Sequence, residues 1–443
     1  MTCIVTDANP AVESFTWTKD ASSKISSKDV YSISTVYRNH TGRYTCSAAN
    51  TLGSSKYPAM LQLDVLYGAE IDNIPNQEPH EGTKFSITCS GNSFPALTDT
   101  DVTWTKKNNS INKWHGKTLL IDNINRIDKG TYVCSVVIKL VPSVGDAIDV
   151  TGETTVKVDV LYRPTVTIFP NFTQYKVVEN STNLDLDCRV TDANPTPTVY
   201  GWYKDDSRIN GYITRIYTIK AVQKTHTGSY TCDATNTVNN SGPSSTVHLD
   251  VLYGVVIQPF KKNEPMESTK IVVLCNVTSN PKVTDNDVKW TKNNNVTFRR
   301  SGQHLVFDNV HRKDSGMYVC SVLITLSPTI GQKVNVTGTS TVEVNVLYRP
   351  IVTISPNYIH YNIIENTTNL TLTCSVIDSN PAVTFYQWYK NGSPMDGISA
   401  AIYTIPTVLR SHTGNYTCNA KNPVGLSDPS SAIHLNVLCK FFL

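Results

Sequence analysis

The stretch that decides the fold runs from Cys188 to Cys232. It begins Cys188-Arg-Val-Thr-Asp-Ala-Asn-Pro-Thr-Pro-Thr-Val-Tyr-Gly-Trp202 and closes with Gly228-Ser-Tyr-Thr-Cys232. Tyr230 and Cys232 are two positions apart, and side chains on a strand alternate between faces, so both are expected to point inward. The same order of Cys, Trp and Tyr-x-Cys occurs five times, as Cys3, Trp17, Tyr44, Cys46; Cys89, Trp104, Tyr132, Cys134; Cys188, Trp202, Tyr230, Cys232; Cys275, Trp290, Tyr318, Cys320; and Cys374, Trp388, Tyr416, Cys418.

Corresponding positions lie about 186 residues apart, so the repeating unit contains two of these sets. Cys46, Cys232 and Cys418 are evenly spaced at that interval. A period this regular indicates a duplicated unit that should be recognised before any single element is assigned. We therefore expect two alternating kinds of domain.

The five sets resemble the immunoglobulin superfamily. In that fold the two Cys lie on strands B and F of opposite sheets, the Trp on strand C packs against their disulfide, and the Tyr forms the corner that enters strand F. The resemblance implies an all-β protein, a tandem array of five immunoglobulin-like β-sandwiches with Greek-key order, two antiparallel sheets and one B–F disulfide each. A metal-binding Cys-rich protein would instead require closely spaced ligand pairs such as C-x-x-C, and the sequence has none. The implied disulfides are Cys3–Cys46, Cys89–Cys134, Cys188–Cys232, Cys275–Cys320 and Cys374–Cys418.

A recurring Val-Leu-Tyr tripeptide marks the ends of the first four domains. Each copy closes a strand-like segment of alternating apolar residues, and the next domain follows at once. Because no flexible Gly/Ser connector intervenes, we expect neighbouring domains to be stiffly coupled into a rod. The predicted domains are residues 1–67, 68–162, 163–253, 254–348 and 349–438, the first lacking its N-terminal part.

The two kinds of domain differ at the B–C turn and at the tyrosine corner. The first, third and fifth carry Asn-Pro in the turn and His-Thr-Gly before the corner, at His40, His226 and His412. The second and fourth carry Asp128 and Asp314 at the corner and have longer F–G hairpins. We interpret the imidazole as taking the hydrogen-bonding place of the Asp. The short Cys-to-Cys span predicts constant-like or intermediate domains, without room for the C′ and C″ strands of variable-type domains.

Paired cysteines and glycosylation sequons both indicate an oxidising compartment. We therefore expect the protein to be extracellular or at the cell surface. Part of the sequons would arise by chance in a chain rich in Asn, Ser and Thr. The candidate glycosylation sites are Asn39, Asn108, Asn171, Asn180, Asn239, Asn276, Asn295, Asn335, Asn366, Asn369, Asn391 and Asn415.

Composition excludes several function classes. The net charge is +3 with dispersed Lys and Arg, so the sequence has no basic block or aromatic-interleaved patch for nucleic acid. The sequence offers no nucleophile with its base, no acid/base pair and no ligand cluster. We predict no catalytic residues, no metal and no cofactor.

The termini and two short motifs allow more than one interpretation. The first set begins at Cys3, so we expect the sequence to be part of a longer secretory-pathway protein, attached to a membrane only through an anchor outside it. Cys439 is the odd cysteine and indicates either an intermolecular bridge or a truncated or misjoined end. Leu63-Asp64-Val65 and Leu249-Asp250-Val251 match an integrin-recognised tripeptide. Because strand G would turn their apolar side chains inward, we interpret both as chance.

Several outward strand positions are more apolar than solvation requires. Exposed apolar and aromatic patches can mark protein interfaces, although ordinary β-propensity also accounts for them. Our hypothesis is that these C-F-G faces bind a partner immunoglobulin domain. The candidate residues are Val133, Val137, Lys139, Val319, Leu323, Thr325, Tyr203 and Tyr389.

The chain resembles ectodomains of the nephrin, hemicentin and sialic-acid-binding Ig-lectin kind. That resemblance implies adhesion or recognition through binding to other cell-surface proteins, homophilic or heterophilic. An immune-recognition receptor or secreted decoy, and the ligand-binding ectodomain of a receptor enzyme, are the alternatives. Sialic-acid binding does not carry over, because those lectins use an Arg on strand F of a variable-type domain, whereas Arg43 precedes strand F in a short-span domain.

Overall fold

A computed structural model describes residues 1–439 of the chain. Contact density divides the chain into two compact units. The first unit comprises Met1–Pro170, Asp187–Tyr217 and Thr231–Ser245, and the second comprises Asn171–Leu186, Thr218–Tyr230 and Thr246–Leu443. The dividing line passes through the third predicted domain, so the five domain boundaries remain our proposal.

The described chain is built from β-strands joined by short turns, which confirms the all-β prediction. Strands β1 to β5 belong to the first domain and β6 to β13 to the second, and all lie in the first unit. Their bounds are Ser14–Lys19, Lys24–Ser26, Gly42–Asn50, Gly53–Ser54 and Ala59–Leu63, then Tyr67–Ile71, Phe85–Thr88, Gly91–Phe94, Val102–Lys106, Asn109–His115, Thr118–Ile121, Gly130–Leu140 and Ile148–Val158.

Strands β14 to β21 belong to the third domain, β22 to β28 to the fourth and β29 to β37 to the fifth. The third-domain strands are Tyr162–Phe169, Gln174–Val178, Thr182–Asn194, Val199–Lys204, Ser207–Arg208, Ile216–Ala221, Gly228–Thr235 and Val247–Ile257. Those of the fourth are Ile271–Leu274, Val277–Asn280, Val288–Lys292, Asn295–Ser301, His304–Phe307, Gly316–Leu326 and Val334–Val344. Those of the fifth are Tyr348–Ser355, His360–Ile364, Thr368–Asn380, Phe385–Lys390, Ser393–Pro394, Ile402–Thr407, Gly414–Asn422, Gly425–Leu426 and Ile433–Leu438.

The second and fourth domains share one sheet order. Their larger sheets run β10-β9-β12-β13 and β25-β24-β27-β28, which corresponds to C′-C-F-G. The expectation that a C′ strand would not fit is therefore wrong. The C–C′ turns are so short that β10 begins at Asn109, directly after β9 and a two-residue turn, and the span to the second Cys suffices. In the other domains the strand that follows C and pairs with its outer edge is only two or three residues long. These short strands are β2, β18 and β33.

Each core is centred on the tryptophan of strand C. Trp104, Trp202, Trp290 and Trp388 are fully buried, and Trp17 nearly so. Each indole N–H donates to a backbone carbonyl, at 2.9 to 3.3 Å. Burying so large an aromatic surface stabilises each small core, and truncating such a residue to Ala typically costs about 3 to 5 kcal/mol.

The tyrosine corner has the same geometry in all five domains. A single turn of 3-10 helix precedes strand F, at Arg38–His40, Arg126–Asp128, Lys224–His226, Arg312–Asp314 and Arg410–His412; two further turns are Asp99–Asp101 and Asp285–Asp287. The corner hydroxyl donates to the carbonyl four residues upstream, at 2.6 to 2.9 Å. In the second domain, burial raises the pKa of Tyr132 to about 12.

The interpretation of the corner histidines is confirmed. His40, His226 and His412 each accept, through Nδ1, the backbone N–H three residues upstream, at 2.7 to 2.9 Å. Asp128 and Asp314 accept the equivalent N–H through a carboxylate oxygen, at 2.9 Å. Because Nδ1 is the acceptor, the ring proton lies on Nε2. Histidine and aspartate thus cap the same turn.

A glycine opens the second and fourth domains because strand A lies very close to strand G there. A Cβ on Gly68 would lie 2.3 Å from Val150 Cγ1, and one on Gly254 would lie 2.8 Å from Val336 Cγ1. The third and fifth domains have an exposed Arg at that position, and the Pro that follows it is buried. This close approach explains why Gly follows Val-Leu-Tyr at the start of the second and fourth domains.

In the second to fifth domains, the segment that follows the first strand runs parallel to strand G, but the length of this pairing varies. In the third and fifth domains, β15 pairs with β21 and β30 with β37 over five consecutive residues. In the second and fourth, only two isolated bridges form in each domain, one on either side of Pro79 or Pro265. Proline has no N–H to donate, so it interrupts the ladder.

Candidate recognition faces and domain junctions

The outer face of the second domain is formed by alternate residues of β12. Val133, Val137 and Lys139 point away from the core, whereas the alternate residues Cys134, Val136 and Ile138 are buried. Val137 is the more exposed of the two valines, with 47% of its surface accessible to solvent. It pairs with Thr151 on the neighbouring strand β13. The result is an apolar centre within a threonine-rich sheet surface.

The fourth domain repeats this face on β27. Val319, Leu323 and Thr325 point outward, and Leu323 is 50% exposed. Leu323 pairs with Thr337 on β28, where Thr151 stands in the second domain. A shallow cavity of about 480 Å³ lies here, lined by Asn286, Asp287, Lys289, Leu323, Thr337 and Thr339. The outward direction of these side chains agrees with the sequence pattern, and their role in binding remains a prediction.

The two tyrosine candidates lie on other domains, and their side chains are less exposed to solvent than Val137 and Leu323. Tyr203 and Tyr389 are each half-buried on strand C, next to the core Trp. The Tyr203 hydroxyl donates to Asp233 Oδ2 at 2.9 Å, and this hydrogen bond raises the pKa of Tyr203. Each candidate set therefore lies on its own domain, and Tyr203 already has an internal partner.

Ten cysteines form five disulfides in the structure, within the five Cys-Trp-Cys sets. The bonds join Cys3–Cys46, Cys89–Cys134, Cys188–Cys232, Cys275–Cys320 and Cys374–Cys418. Cys439 is exposed and carries a free thiol. Whether it joins a second chain remains a prediction.

All twelve sequon asparagines are exposed, including Asn276 and Asn415 beside the core strands. Exposure is what glycosylation requires, and occupancy remains a prediction. The Asn335 sequon lies on the candidate recognition face of the fourth domain, opposite Thr325. Thr325 Oγ1 donates to Asn335 Oδ1 at 2.8 Å.

An arginine joins the second and third domains. Arg126 donates to both carboxylate oxygens of Glu81, from Nε at 2.8 Å and Nη2 at 2.7 Å, and its Nη1 bonds Asp192 of the third domain. The guanidinium carbon lies 4.0 Å from the centre of the Tyr162 ring. The Tyr162 hydroxyl donates to the other oxygen of Asp192 at 2.7 Å. We call this four-residue arrangement the junction clamp.

The fourth and fifth domains have the same junction clamp. Arg312 donates to Glu267 from Nε at 3.0 Å and Nη2 at 2.7 Å, and to Asp378 Oδ2 at 3.0 Å. It lies 4.2 Å from the Tyr348 ring, whose hydroxyl donates to Asp378 at 2.8 Å. Bidentate Arg–carboxylate pairs fix orientation as well as adding energy.

Electrostatics within the clamps favour the charged carboxylates. The hydrogen bond from Arg312 lowers the pKa of Glu267, and the bond from Tyr348, followed by that from Arg312, lowers the pKa of Asp378. Both carboxylates are thus ionised at neutral pH. Together with the stacked tyrosine they hold the two domains against each other.

Sequence reasoning did not identify the clamps, although a signal was present. Arg126 and Arg312 are separated by the repeat period, and so are their three partners. Asp192 and Asp378 belong to the Asp-x-Asn-Pro motif, which we interpreted only as a turn. Its asparagine also faces the preceding domain, because Asn194 Nδ2 donates to Asp159 Oδ1 and Val160 O, at 2.9 and 2.7 Å.

The remaining junctions are built differently. Arg38 pairs with Glu70 at 2.9 Å and lies 4.1 Å from the Tyr67 ring between the first and second domains. Between the third and fourth, Lys224 Nζ lies 4.0 Å from the Tyr253 ring, and strand β21 continues across the proposed boundary. The chain therefore has two alternating kinds of junction.

The interpretation of Leu249-Asp250-Val251 as structural is supported by its surroundings. Leu249 and Val251 are fully buried. Asp250 Oδ1 accepts a hydrogen bond from Asn280 Nδ2 at 2.7 Å. An aspartate held this way at a junction is not presented on an exposed loop.

Metal binding and membrane crossing can be assessed for residues 1–439, which the structure describes. Within that range, no group of three or more His, Cys, Asp or Glu residues is placed to hold a metal ion. Nor does any helix in the same range have the length and apolar character needed to cross a membrane.

Comparison with known families decides the relationship. One profile described as an immunoglobulin domain matches residues 163–236 and 349–422, and a second with that description matches residues 70–151. The chain belongs to the immunoglobulin superfamily. The matched segments together span about half of the sequence and lie in the second, third and fifth immunoglobulin domains.

Relatives of this immunoglobulin chain include cell-surface proteins. It is 25% identical to B-cell receptor CD22 of Mus musculus, over 97% of this chain and 48% of the relative. It is also 25% identical to the cell adhesion molecule DSCAM of Homo sapiens, over 92% of this chain and 20% of the relative. Among solved structures, Sidekick-1 immunoglobulin domains 1–4 align with 83% of this chain and 98% of theirs, at 18% identity and a TM-score of 0.29. The chain thus spans about half or less of the curated relatives' lengths.

Proposed function

We propose that this chain is an extracellular adhesion or recognition segment that binds other cell-surface proteins through its immunoglobulin domains. The observation that carries the proposal is the alignment of 92% of the chain with a protein named as a cell adhesion molecule. Five disulfides and twelve exposed sequons support a location outside the cell or at its surface.

The binding surfaces in this proposal are the outer faces around Val137 and Leu323. Each combines an exposed apolar residue with threonines that can hydrogen-bond to a partner sheet, and the two faces recur on equivalent strands. Interfaces with an apolar centre and a polar rim are common among specific complexes. The partner we propose is the sheet face of another immunoglobulin domain, on a second copy of this chain or on a different cell-surface protein.

Analytical ultracentrifugation of the secreted chain across a concentration series tests this proposal. With the N-linked glycans enzymatically removed from all proteins, we expect reversible self-association that Val137→Asp and Leu323→Asp each weaken. Leu120→Asp and Val306→Asp are the matched controls, because these side chains are similarly exposed on the opposite sheets of the same domains. Circular dichroism checks that all four variants fold. If Val137→Asp and Leu323→Asp associate like the wild type, these faces are not the binding surfaces.

A second candidate is an immune-recognition receptor or secreted decoy. The similarity to B-cell receptor CD22 over 97% of this chain favours it. In that case the purified chain remains monomeric in the ultracentrifuge and still binds cells that express its partner. Loss of cell binding in Val137→Asp, with Leu120→Asp unaffected, would assign that binding to the same face.

A further inference from the structure

Asn335 lies on the same outer face as Leu323. It pairs with Thr325 across strands β27 and β28, and Leu323 pairs with Thr337, two residues further along. Outward residues alternate with inward ones on both strands, so these four side chains share one surface. Diagonal neighbours on an antiparallel sheet lie about 7 to 8 Å apart, which is within reach of the first sugar of a glycan.

We propose that an N-linked glycan on Asn335 covers the apolar surface at Leu323, so that the recognition face of the fourth domain is closed while that of the second stays open. Cover of Leu323 follows from the sequon and the sheet register alone. Its consequence for binding rests on the proposed function. The fourth-domain face becomes available only in molecules that lack this glycan.

The local geometry suits this modification. The hydrogen bond from Thr325 uses Asn335 Oδ1 and leaves Nδ2, the atom that carries the sugar. In the transfer step, Nδ2 forms a bond to the anomeric carbon of a lipid-linked oligosaccharide, the bond from that carbon to the lipid diphosphate breaks, and Nδ2 loses one proton. The product amide keeps Oδ1 as an acceptor, so Thr325 can hold the first sugar close to the sheet.

The second domain has no sequon at the position equivalent to Asn335. Asp149 stands where Asn335 stands in the fourth domain, and it pairs with Lys139. An aspartate cannot accept an N-linked glycan, so the strand pair beside Val137 has no glycosylation site at this position. The duplicated faces therefore differ in a way that their shared apolar centres do not show.

The test begins with the chain secreted from mammalian cells. Glycopeptide mass spectrometry measures occupancy at Asn335, and hydroxyl-radical footprinting measures how fast Leu323 and Val137 are oxidised. Three proteins are compared: the wild type, Asn335→Gln, and Asn276→Gln as the control, because Asn276 carries a sequon on the opposite sheet. Enzymatic trimming of wild-type glycans to the first sugar provides a second route that leaves the sequence unchanged.

We expect high occupancy at Asn335 and several-fold faster oxidation of Leu323 in Asn335→Gln. Trimming should give an intermediate rate, whereas Val137 should react equally in all samples and Asn276→Gln should match the wild type at Leu323. An unoccupied Asn335, or equal Leu323 oxidation with and without the glycan, would overturn the inference. This readout needs no binding partner, so a failure of the proposed adhesion function would be detected separately by ultracentrifugation.

Discussion

Replacing Arg312 by methionine should weaken the junction between the fourth and fifth domains. Methionine keeps the unbranched apolar stem but loses both ion pairs and the contact with Tyr348. The side chains of Arg312, Glu267 and Asp378 are 35%, 24% and 40% exposed, so water screens both pairs. With about 0.5 to 1 kcal/mol from the ion pairs and a similar amount from the ring contact, we expect a loss of about 1 to 2 kcal/mol in unfolding free energy.

Hydrogen-exchange pulse labelling through a urea series resolves this loss domain by domain. Peptides of the fourth and fifth domains each report the urea concentration at which their own domain is half unfolded. The slope of unfolding free energy against urea concentration converts a change in that midpoint to a change in free energy. The matched control is Arg410→Met. Arg410 pairs with Glu365 at 3.2 Å, and Cys439 occupies the place that Tyr348 fills beside Arg312. We expect Arg410→Met to have the smaller effect.

A double-mutant cycle isolates the contact between the two domains. Combining Arg312→Met with Asp378→Asn should give a coupling of about 0.5 kcal/mol, because the residues interact directly across a partly exposed ion pair. Equal effects of Arg312→Met and Arg410→Met, together with zero coupling to Asp378, would refute the assignment of Arg312 as a clamp.

Three further results are expected. His226→Ala should speed hydrogen exchange at the corner about fivefold, equivalent to about 1 kcal/mol, because a backbone N–H loses its acceptor. His226→Asp should restore the protection from exchange. If it does not, histidine and aspartate are not equivalent caps of this turn. Because the pKa values of Glu267 and Asp378 are lowered in the folded state, their stabilisation is present at neutral pH and is lost as pH falls below about 4, so the urea midpoints of wild type and the clamp variant should converge in acid. Gly254→Ala should cost about 1 to 3 kcal/mol through contact with Val336, and adding Val336→Ala should recover part of the loss in thermal unfolding.

The sequence was sufficient to predict the fold because its strongest signals are local. The Cys-Trp-Tyr-x-Cys order spans one domain, and each member fills a place that the core or the corner requires. The histidine caps were predictable for the same reason, since His226 and its N–H partner are three residues apart. A motif can be interpreted from sequence when all of its contacts lie within a few residues or follow one known fold.

The clamps could not be deduced in this way because their contacts join separate domains. Arg126 and Asp192 are 66 residues apart and belong to different domains. The C′ strand was missed for a different reason. Its existence depends on the length of one turn and on pairing with strand C, and neither follows from the distance between two cysteines.

The parallel pairing between strand G and the segment that follows the first strand has a mechanical consequence. Force applied to a domain through its two chain ends pulls these parallel strands in opposite directions, so the hydrogen bonds between them are loaded together in shear. Five consecutive pairs share that load in the third and fifth domains. In the second and fourth, Pro79 and Pro265 leave two separate bridges to carry it. Under such a load, we expect the second and fourth domains to yield before the third and fifth, and to lengthen while the third and fifth stay folded.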